Sequence, residues 1–314
     1  MIKAMRIAKQ PSLDDFYAGI LAQLREKGVP GAITGGLACV EFGVTEHTED
    51  CDMICAAENA GTLLKVLEIS GYGGIGCQYR KSSPPLDARW LLGGYTAHFH
   101  WPTSVPAKPF LDVFSVPPRV SSPWEKEMVG RFAGMHTVAE MKRTRRRKDW
   151  DQATALGLAM LQTGDPRGWL HIFDADVLQA LLKTQSPGPV ELNQRPALQL
   201  ALSGSPLLER VIQTEIEFWS NLDKIRLKIY QDNHVEYGRR ALKIPSTKSI
   251  RLMAQHEQRV KFAKQYLPEH PLEDYGIDRM VDEARQATAL GLDPIVLQHL
   301  PQVKSHFQFP NRIH

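Results

Sequence analysis

The sequence has little that would place the protein in a membrane or outside the cell. No window offers the roughly 18 uncharged apolar residues that a transmembrane helix needs. Basic residues recur every few positions in segment 1–9, so it contains no apolar signal-peptide region. Only four cysteines are present, all in the first quarter of the chain: Cys39, Cys51, Cys55 and Cys77. We therefore expect a cytoplasmic protein with reduced, mostly buried thiols and no membrane partner.

The chain also lacks an excess of charge of one sign. Its 38 lysine and arginine residues stand against 35 acidic residues, a formal net charge of +3. That excess is too small to indicate a dedicated nucleic-acid-binding protein. The sequence contains neither the Walker A loop of P-loop NTPases nor the Gly-x-Ser-x-Gly elbow of serine hydrolases, so neither class is supported.

What the sequence does contain is typical of a globular protein of about two domains. The chain has 314 residues, of which 43% are hydrophobic and 23% charged, which excludes disorder and coiled coil as its main state. Strand-like and helix-like patterns alternate up to about residue 135, and helical patterns follow. We predict an α+β fold with a small mixed-sheet domain over 1–135 and a helical domain over 136–314.

Apolar periodicity and turn residues place the elements. The predicted strands or strand-like runs are 29–34, 50–55, 90–101 and 110–115. The clearer predicted helices are 12–28, 58–70, 136–161, 207–230, 250–266 and 277–290. Ser12 is the predicted N-cap of the first helix, and a further short helix follows Gly35-Gly36.

The most informative region joins a glycine pair to three aspartates. Gly35-Gly36 is followed by thirteen residues and then by Asp50-Cys51-Asp52. Side chains at i and i+2 of a strand point to one face, so the two carboxylates should lie side by side. A third acid, Asp112, occupies another apolar strand. Carboxylates that repel one another are stabilised by a divalent cation such as Mg²⁺, and a glycine turn before a helix lets backbone N–H groups approach a phosphate.

These residues resemble a family. A Gly-Gly pair, an Asp-x-Asp word and a later strand aspartate are the signature of the nucleotidyltransferase superfamily related to DNA polymerase β. The strings 33–38 (ITGGLA) and 48–53 (TEDCDM) look most like the AbiEii-type and related minimal nucleotidyltransferases. The segments 137–142 and 147–151 resemble a helical motif that follows the catalytic sheet in that group. Many members have serine where this chain has Gly36.

The resemblance implies an enzyme that transfers a nucleotide from an NTP to an RNA or protein acceptor, with toxin–antitoxin or phage defence among its settings and an antitoxin as a partner. Asp50, Asp52 and Asp112 would bind Mg²⁺, or Mn²⁺ in its place, and carry catalysis. Backbone groups of Gly35 and Gly36 and the side chains of Lys142 and Lys148 would hold the nucleotide. The alternative is a protein of this fold that binds a nucleotide or a partner without turnover.

Two further patterns leave alternatives open. Six of the seven residues 142–148 are basic. They form either a solvated helix face or an edge that binds a triphosphate or an RNA backbone, in which case Lys142, Arg147 or Lys148 should face the carboxylates. His98-x-His100 places two imidazoles on one strand face, but no paired Cys-x-x-Cys accompanies them. A sheet face is therefore favoured over a zinc site.

Overall fold

The structure, a computed structural model, describes residues 12–48, 50–245, 250–290 and 293–309. It confirms a mixed α and β protein with a small mixed sheet and a helical C-terminal part. The strands are β1 Gly31–Thr34, β2 Asp50–Cys55, β3 Gly71–Tyr72, β4 Ile75–Gly76, β5 Gln78–Tyr79, β6 Ala97–His100 and β7 Phe110–Phe114. The helices are α1 Leu13–Glu26, α2 Gly35–Glu41, α3 Ala60–Ile69, α4 Ala88–Leu92, α5 Met135–Met141, α6 Arg147–Gln162, α7 Ala175–Leu181, α8 Pro189–Gln194, α9 Ala197–Leu202, α10 Leu208–Ala241, α11 Leu252–Tyr266, α12 Pro271–Tyr275, α13 Ile277–Ala289 and α14 Pro294–Leu297.

Five strands form one sheet in the order β1-β2-β7-β6-β5, and β3 pairs with β4 in a separate hairpin. Strands β2 and β7 are parallel, whereas the other neighbours in the large sheet are antiparallel. Because side chains alternate along a strand, β2 sends Cys51 and Met53 into the core. Its opposite face carries Asp50 and Asp52.

The first core lies on the side of the sheet covered by α1 and α3. Helix α1 begins at the predicted N-cap, since the side chain of Ser12 accepts a hydrogen bond from the backbone N–H of Asp15. Its buried stripe includes Phe16, Ile20 and Leu24. Leucines of α3 and apolar residues of β7 complete the same cluster.

The second core is organised by α10, a helix of 34 residues that packs against α9, α11, α12, α13 and α14. Two tyrosines of α10 also bind the first part of the chain: Tyr230 donates to the carbonyl of Gly93 at 2.8 Å and Tyr237 to that of Ser83 at 2.7 Å. The long helix is therefore fixed opposite the carboxylate-bearing face of the sheet. None of the helices in the described part of the chain is long and apolar enough to cross a membrane.

Three predicted elements differ from the structure. The helix predicted over 207–230 continues to Ala241 as α10. The run 90–101 contains the end of α4 and the strand β6, because Gly94 (φ +84°) turns the chain between them. The predicted helix over 136–161 is broken into α5 and α6 by residues 142–146. The break is held by Asp149 of α6, which accepts hydrogen bonds from the hydroxyl of Thr144 and from Nε of Arg146.

Candidate functional site

Two of the three predicted aspartates face each other across neighbouring parallel strands. Asp52 of β2 is register-paired with Asp112 of β7. Thr34 of β1 pairs with Asp52 on one side, and His98 of β6 pairs with Asp112 on the other. Directly opposite residues point to the same face, so these four side chains form one row across the sheet.

Asp112 has two basic neighbours. Nδ1 of His98 lies 2.8 Å from its Oδ1, and Nη2 of Arg80 donates to the same oxygen at 3.2 Å. About 30% of each side chain in this trio is exposed: 30% for Arg80, 32% for His98 and 28% for Asp112. The carboxylate is thus oriented by the protein while one side remains open to the cleft.

Asp52 lies in a different environment. No hydrogen bond or ion pair joins its carboxylate to another side chain in the part of the chain that the structure describes. Burial, followed by the nearby charges of Asp112 and Asp50, raises the pKa of Asp52 to about 7, while Lys142 acts in the opposite direction. The folded protein therefore opposes ionisation of the Asp52 carboxyl group, and a bound cation would favour that ionisation.

The glycine pair is required by the packing around Asp52. Gly35 has φ +64°, and a Cβ built on it would overlap the carboxylate of Asp52. A Cβ on Gly36 would approach Oγ1 of Thr48 to 2.6 Å. Thr48 thus occupies the space that a side chain at position 36 would need, which explains why glycine stands where the resembling family has serine.

The side chains of the basic block 142–148 lie in different environments. Lys142 is buried, lines the cleft beside Asp52, and has its Nζ 3.7 Å from Oδ1 of Asp149. Arg143 turns away into the helical core, where its guanidinium lies 4.8 Å from the ring centroid of Trp219. A single solvated helix face, one of the two alternatives for this block, does not form, because the chain turns between α5 and α6.

Three of the predicted site residues are not among the described residues that line the cleft. Asp50 is exposed at the first position of β2, and Lys148 is exposed in the first turn of α6. Gly36 is the second residue of α2, next to Gly35, which does line the cleft. The structure therefore brings together Gly35, Asp52, Asp112 and Lys142, and it leaves Asp50 at the margin, two residues along the strand from Asp52.

The cleft has a volume of about 950 Å³ and separates the sheet from α10. That volume is at the upper end of the range for small-molecule sites. Its basic side chains outnumber the two acidic ones, Asp52 and Asp112. They are Arg80, Lys81, Arg119, Lys142, Arg146 and Arg226. Such a surface favours a ligand with several negative charges.

Asp52 and Asp112 are the residues of the cleft that could hold a divalent cation. The described residues contain no group of three His, Cys, Asp or Glu side chains placed to hold a metal ion. Asp52 and Asp112 nevertheless provide oxygen ligands from register-paired positions of neighbouring strands, and burial together with the charge of Asp112 raises the pKa of Asp52. They fit Mg²⁺ or Mn²⁺ bound by two carboxylates, with phosphate and water oxygens completing its shell.

No family matches. Comparison of the chain with family models, with curated proteins and with solved structures gives no match in any of the three. The assignment of function therefore depends on the geometry of the cleft and on the motif resemblance.

Most residues that line the cleft were not among the predicted site residues, and three of these are informative. Arg80 and His98 contact Asp112, and Tyr230 belongs to the α10 wall. The His98-x-His100 spacing did predict that both imidazoles share a strand face. Only the antiparallel pairing of β6 with β7 shows that Asp112 is the neighbour of His98.

Proposed function

We propose that the protein is a Mg²⁺-dependent nucleotidyltransferase that moves a nucleotide from an NTP to an acceptor hydroxyl of RNA or protein. The observation that carries the proposal is the register pairing of Asp52 with Asp112 beside the Gly35 turn, in a cleft lined by basic side chains. Phosphoryl transfer depends chiefly on positioning and on neutralising charge, and this arrangement supplies both.

Asp52 and Asp112 would hold the divalent cation. A bound cation of this kind neutralises phosphate charge and lowers the pKa of a coordinated hydroxyl. Cation binding favours the ionised form of Asp52 and so removes the cost of its isolated charge. Asp112 would exchange its ion pair with Arg80, at 3.2 Å, for the cation, which would leave Arg80 available to a phosphate oxygen.

Lys142 would balance the charge of the triphosphate. It lies on the cleft wall and acts on Asp52 electrostatically, so its ammonium group is close enough to affect the same ligand. Backbone N–H groups of Gly35 and Gly36 open α2 without a side-chain cap, which leaves donors for phosphate oxygens. Of the two predicted lysines, the geometry therefore favours Lys142 over Lys148.

The acceptor hydroxyl requires a base. Nδ1 of His98 lies 2.8 Å from Oδ1 of Asp112. A proton that Asp112 takes from the acceptor hydroxyl can therefore pass to the imidazole of His98. A toxin–antitoxin or phage-defence role remains a proposal that stands on the motif resemblance alone.

A second candidate is nucleotide binding without turnover. The observation that favours it is the Arg80–Asp112 ion pair, which engages one of the two carboxylates, together with the exposed position of Asp50 outside the cleft. In that case the basic cleft would bind a triphosphate, and Asp112 would stay paired with Arg80.

The test is Mg²⁺-dependent transfer from each of the four labelled ribonucleoside triphosphates to mixed RNA and to protein acceptors. Asp52→Asn keeps the shape of the side chain and removes its charge, so we expect transfer to fall at least about 100-fold. Asp151→Asn is the matched control, because Asp151 is an exposed acid of α6. Triphosphate binding by the wild-type protein with no transfer to any acceptor would favour the second candidate.

A further inference from the structure

Residues 80–83, the β5 loop, follow the last strand of the sheet order and border the cleft. The backbone N–H of Arg80 donates to the carbonyl of His98 at 2.9 Å, so the loop leaves the sheet at the edge opposite β1. All four of its residues line the cleft, and Lys81 is the exposed one. The transfer reaction proposed above gives Lys81 no role.

Lys81 has a backbone conformation that lysine rarely adopts. Its φ is +49°, in the left-handed region where a Cβ is costly and where glycine or asparagine is usually found. Residues persist in this region where the surrounding structure fixes them, and they concentrate at ligand-binding sites. A lysine at this position, in place of glycine, therefore points to a role for its side chain.

Helices α10 and α11 fix the β5 loop through its carbonyl groups. Nη2 of Arg259 donates to the carbonyl of Lys81 at 2.8 Å, and Nη1 donates to that of Ser83 at 2.7 Å. Between them, the carbonyl of Ser82 accepts from Nε2 of His234 at 2.8 Å. Three consecutive carbonyl oxygens are thus engaged by the two helices, and the position of Lys81 is set before a ligand binds.

The positive charge at the β5 loop is not compensated. In the described part of the chain, neither Lys81 nor Arg259 has a carboxylate within ion-pair distance, although Arg259 is only 1% exposed. The other lysine and arginine residues that line the cleft are each ion-paired: Arg80 with Asp112, Lys142 and Arg146 with Asp149, and Arg119 and Arg226 with Asp223. An anion that enters the cleft is therefore attracted to Lys81 without having to displace a carboxylate.

Lys81 and Lys142 lie at opposite ends of the row of facing side chains. Met141, which precedes Lys142, accepts a hydrogen bond at its sulfur from the hydroxyl of Thr34 in β1 at 3.3 Å. Lys81 follows β5, at the other end of the strand order β1-β2-β7-β6-β5. The two cleft aspartates stand on β2 and β7 between these ends, so a ligand that spans them meets a cation on each side.

We propose that the β5 loop is a second phosphate-binding subsite of the cleft, where Lys81 contacts a phosphate group of the nucleotide or of a phosphate-bearing acceptor. The first subsite is at the other end of the row, where Lys142 and the Gly35 turn adjoin Asp52. The ammonium group of lysine is a point charge with three donors, which suits phosphate oxygens. This inference rests on the proposed function, because it requires that phosphate-bearing ligands enter the cleft.

The experiment measures binding of two probes by calorimetry at fixed salt: inorganic tripolyphosphate with Mg²⁺, and a single-stranded RNA of about ten nucleotides with a free 5′-hydroxyl. Lys81→Asn removes the charge and suits the left-handed backbone, so affinity for at least one probe should fall about tenfold while the urea midpoint does not fall. Lys81→Arg keeps the charge and should stay within about twofold of the wild type. Lys65→Gln is the matched control, because Lys65 is an exposed residue of α3 on the other side of the sheet, and it should also stay within about twofold.

A loss confined to tripolyphosphate would assign the subsite to the nucleotide, and a loss confined to the RNA would assign it to an acceptor phosphate; losses for both would support a subsite that accepts either. Equal small losses in Lys81→Asn and Lys65→Gln would overturn the proposal. So would a loss in Lys81→Arg as large as that in Lys81→Asn, or the absence of wild-type binding to either probe at about 10 mM.

A separate transfer assay distinguishes this proposal from the proposed function. If affinity depends on Lys81 but the wild type transfers no nucleotide, the subsite stands and the transferase assignment fails. If the wild type transfers a nucleotide and Lys81→Asn binds both probes as tightly as the wild type does, the transferase assignment stands and the subsite is refuted.

Discussion

Replacing Asp52 with asparagine should make the protein more stable at alkaline pH while it removes the proposed activity. In the folded protein, burial and Asp112 raise the pKa of Asp52 from its ordinary value of 3.8 to about 7. The folded state therefore holds this proton more tightly than the unfolded chain does. The free energy of unfolding must fall as the pH rises from about 4 to about 7.

The magnitude follows from the size of the shift. A change from 3.8 to about 7 corresponds to a destabilisation of about 4 kcal/mol when Asp52 is fully ionised, and to about 2 kcal/mol at pH 5. Asparagine has no such charge. The stability of Asp52→Asn relative to the wild type should therefore increase by about 2–3 kcal/mol between about pH 5 and pH 8.

Urea unfolding followed by circular dichroism at several pH values between about 5 and 8 measures this difference, with each variant compared at the same pH. Asp151→Asn serves as the control, since it makes the same substitution at an exposed residue of α6 that does not line the cleft. Addition of Mg²⁺ at pH 8 should stabilise the wild type more than Asp52→Asn, because only the wild type has both carboxylates.

A pH-independent difference between Asp52→Asn and the wild type would refute the reasoning about this carboxyl group. So would a difference of the opposite sign, in which the asparagine variant loses relative stability as the pH rises. That outcome would mean that the ionised form of Asp52 is stabilised in the folded protein by a partner.

Two further predictions concern neighbours of Asp52. Gly35→Ala and Gly43→Ala both place a side chain at positive φ, which costs about 1–2 kcal/mol. The free energy of unfolding of Gly35→Ala should fall by about 1–3 kcal/mol more than that of Gly43→Ala, because the added Cβ meets Asp52 whereas Gly43 has open space around it. Thermal or urea unfolding measures this difference, and equal losses in the two variants would contradict the packing argument. Lys142→Met should weaken triphosphate binding at fixed salt by about tenfold or more, and Lys148→Met by less than about twofold; equal small losses would indicate diffuse surface charge in place of a site.

The local parts of the fold and the site were predictable from the sequence. The N-cap at Ser12, the glycine turn and the strand at Asp50–Cys55 all depend on residues close together in the chain. Alternation along one strand was enough to place Asp50 and Asp52 on a common face. All four cysteines are free and buried, in line with the expected reduced, mostly buried thiols.

The division of the basic block could not be predicted in the same way. Seven consecutive residues give no indication of which cation is buried, because that depends on elements distant in sequence. Lys142 lines the cleft and lies close to Asp149, whereas the guanidinium of Arg143 packs over the ring of Trp219 in α10. Lys148 fits the family motif but remains in solvent.

The sequence by itself determined the two aspartate-bearing strands, the glycine turn before α2 and the helical character of the C-terminal part, since each follows from short-range periodicity and turn chemistry. Only the tertiary structure decided that Asp52 stands opposite Asp112, and that His98 and Arg80 hold Asp112. Strand register and helix packing are set by contacts between distant segments, and those contacts optimise burial over the whole molecule.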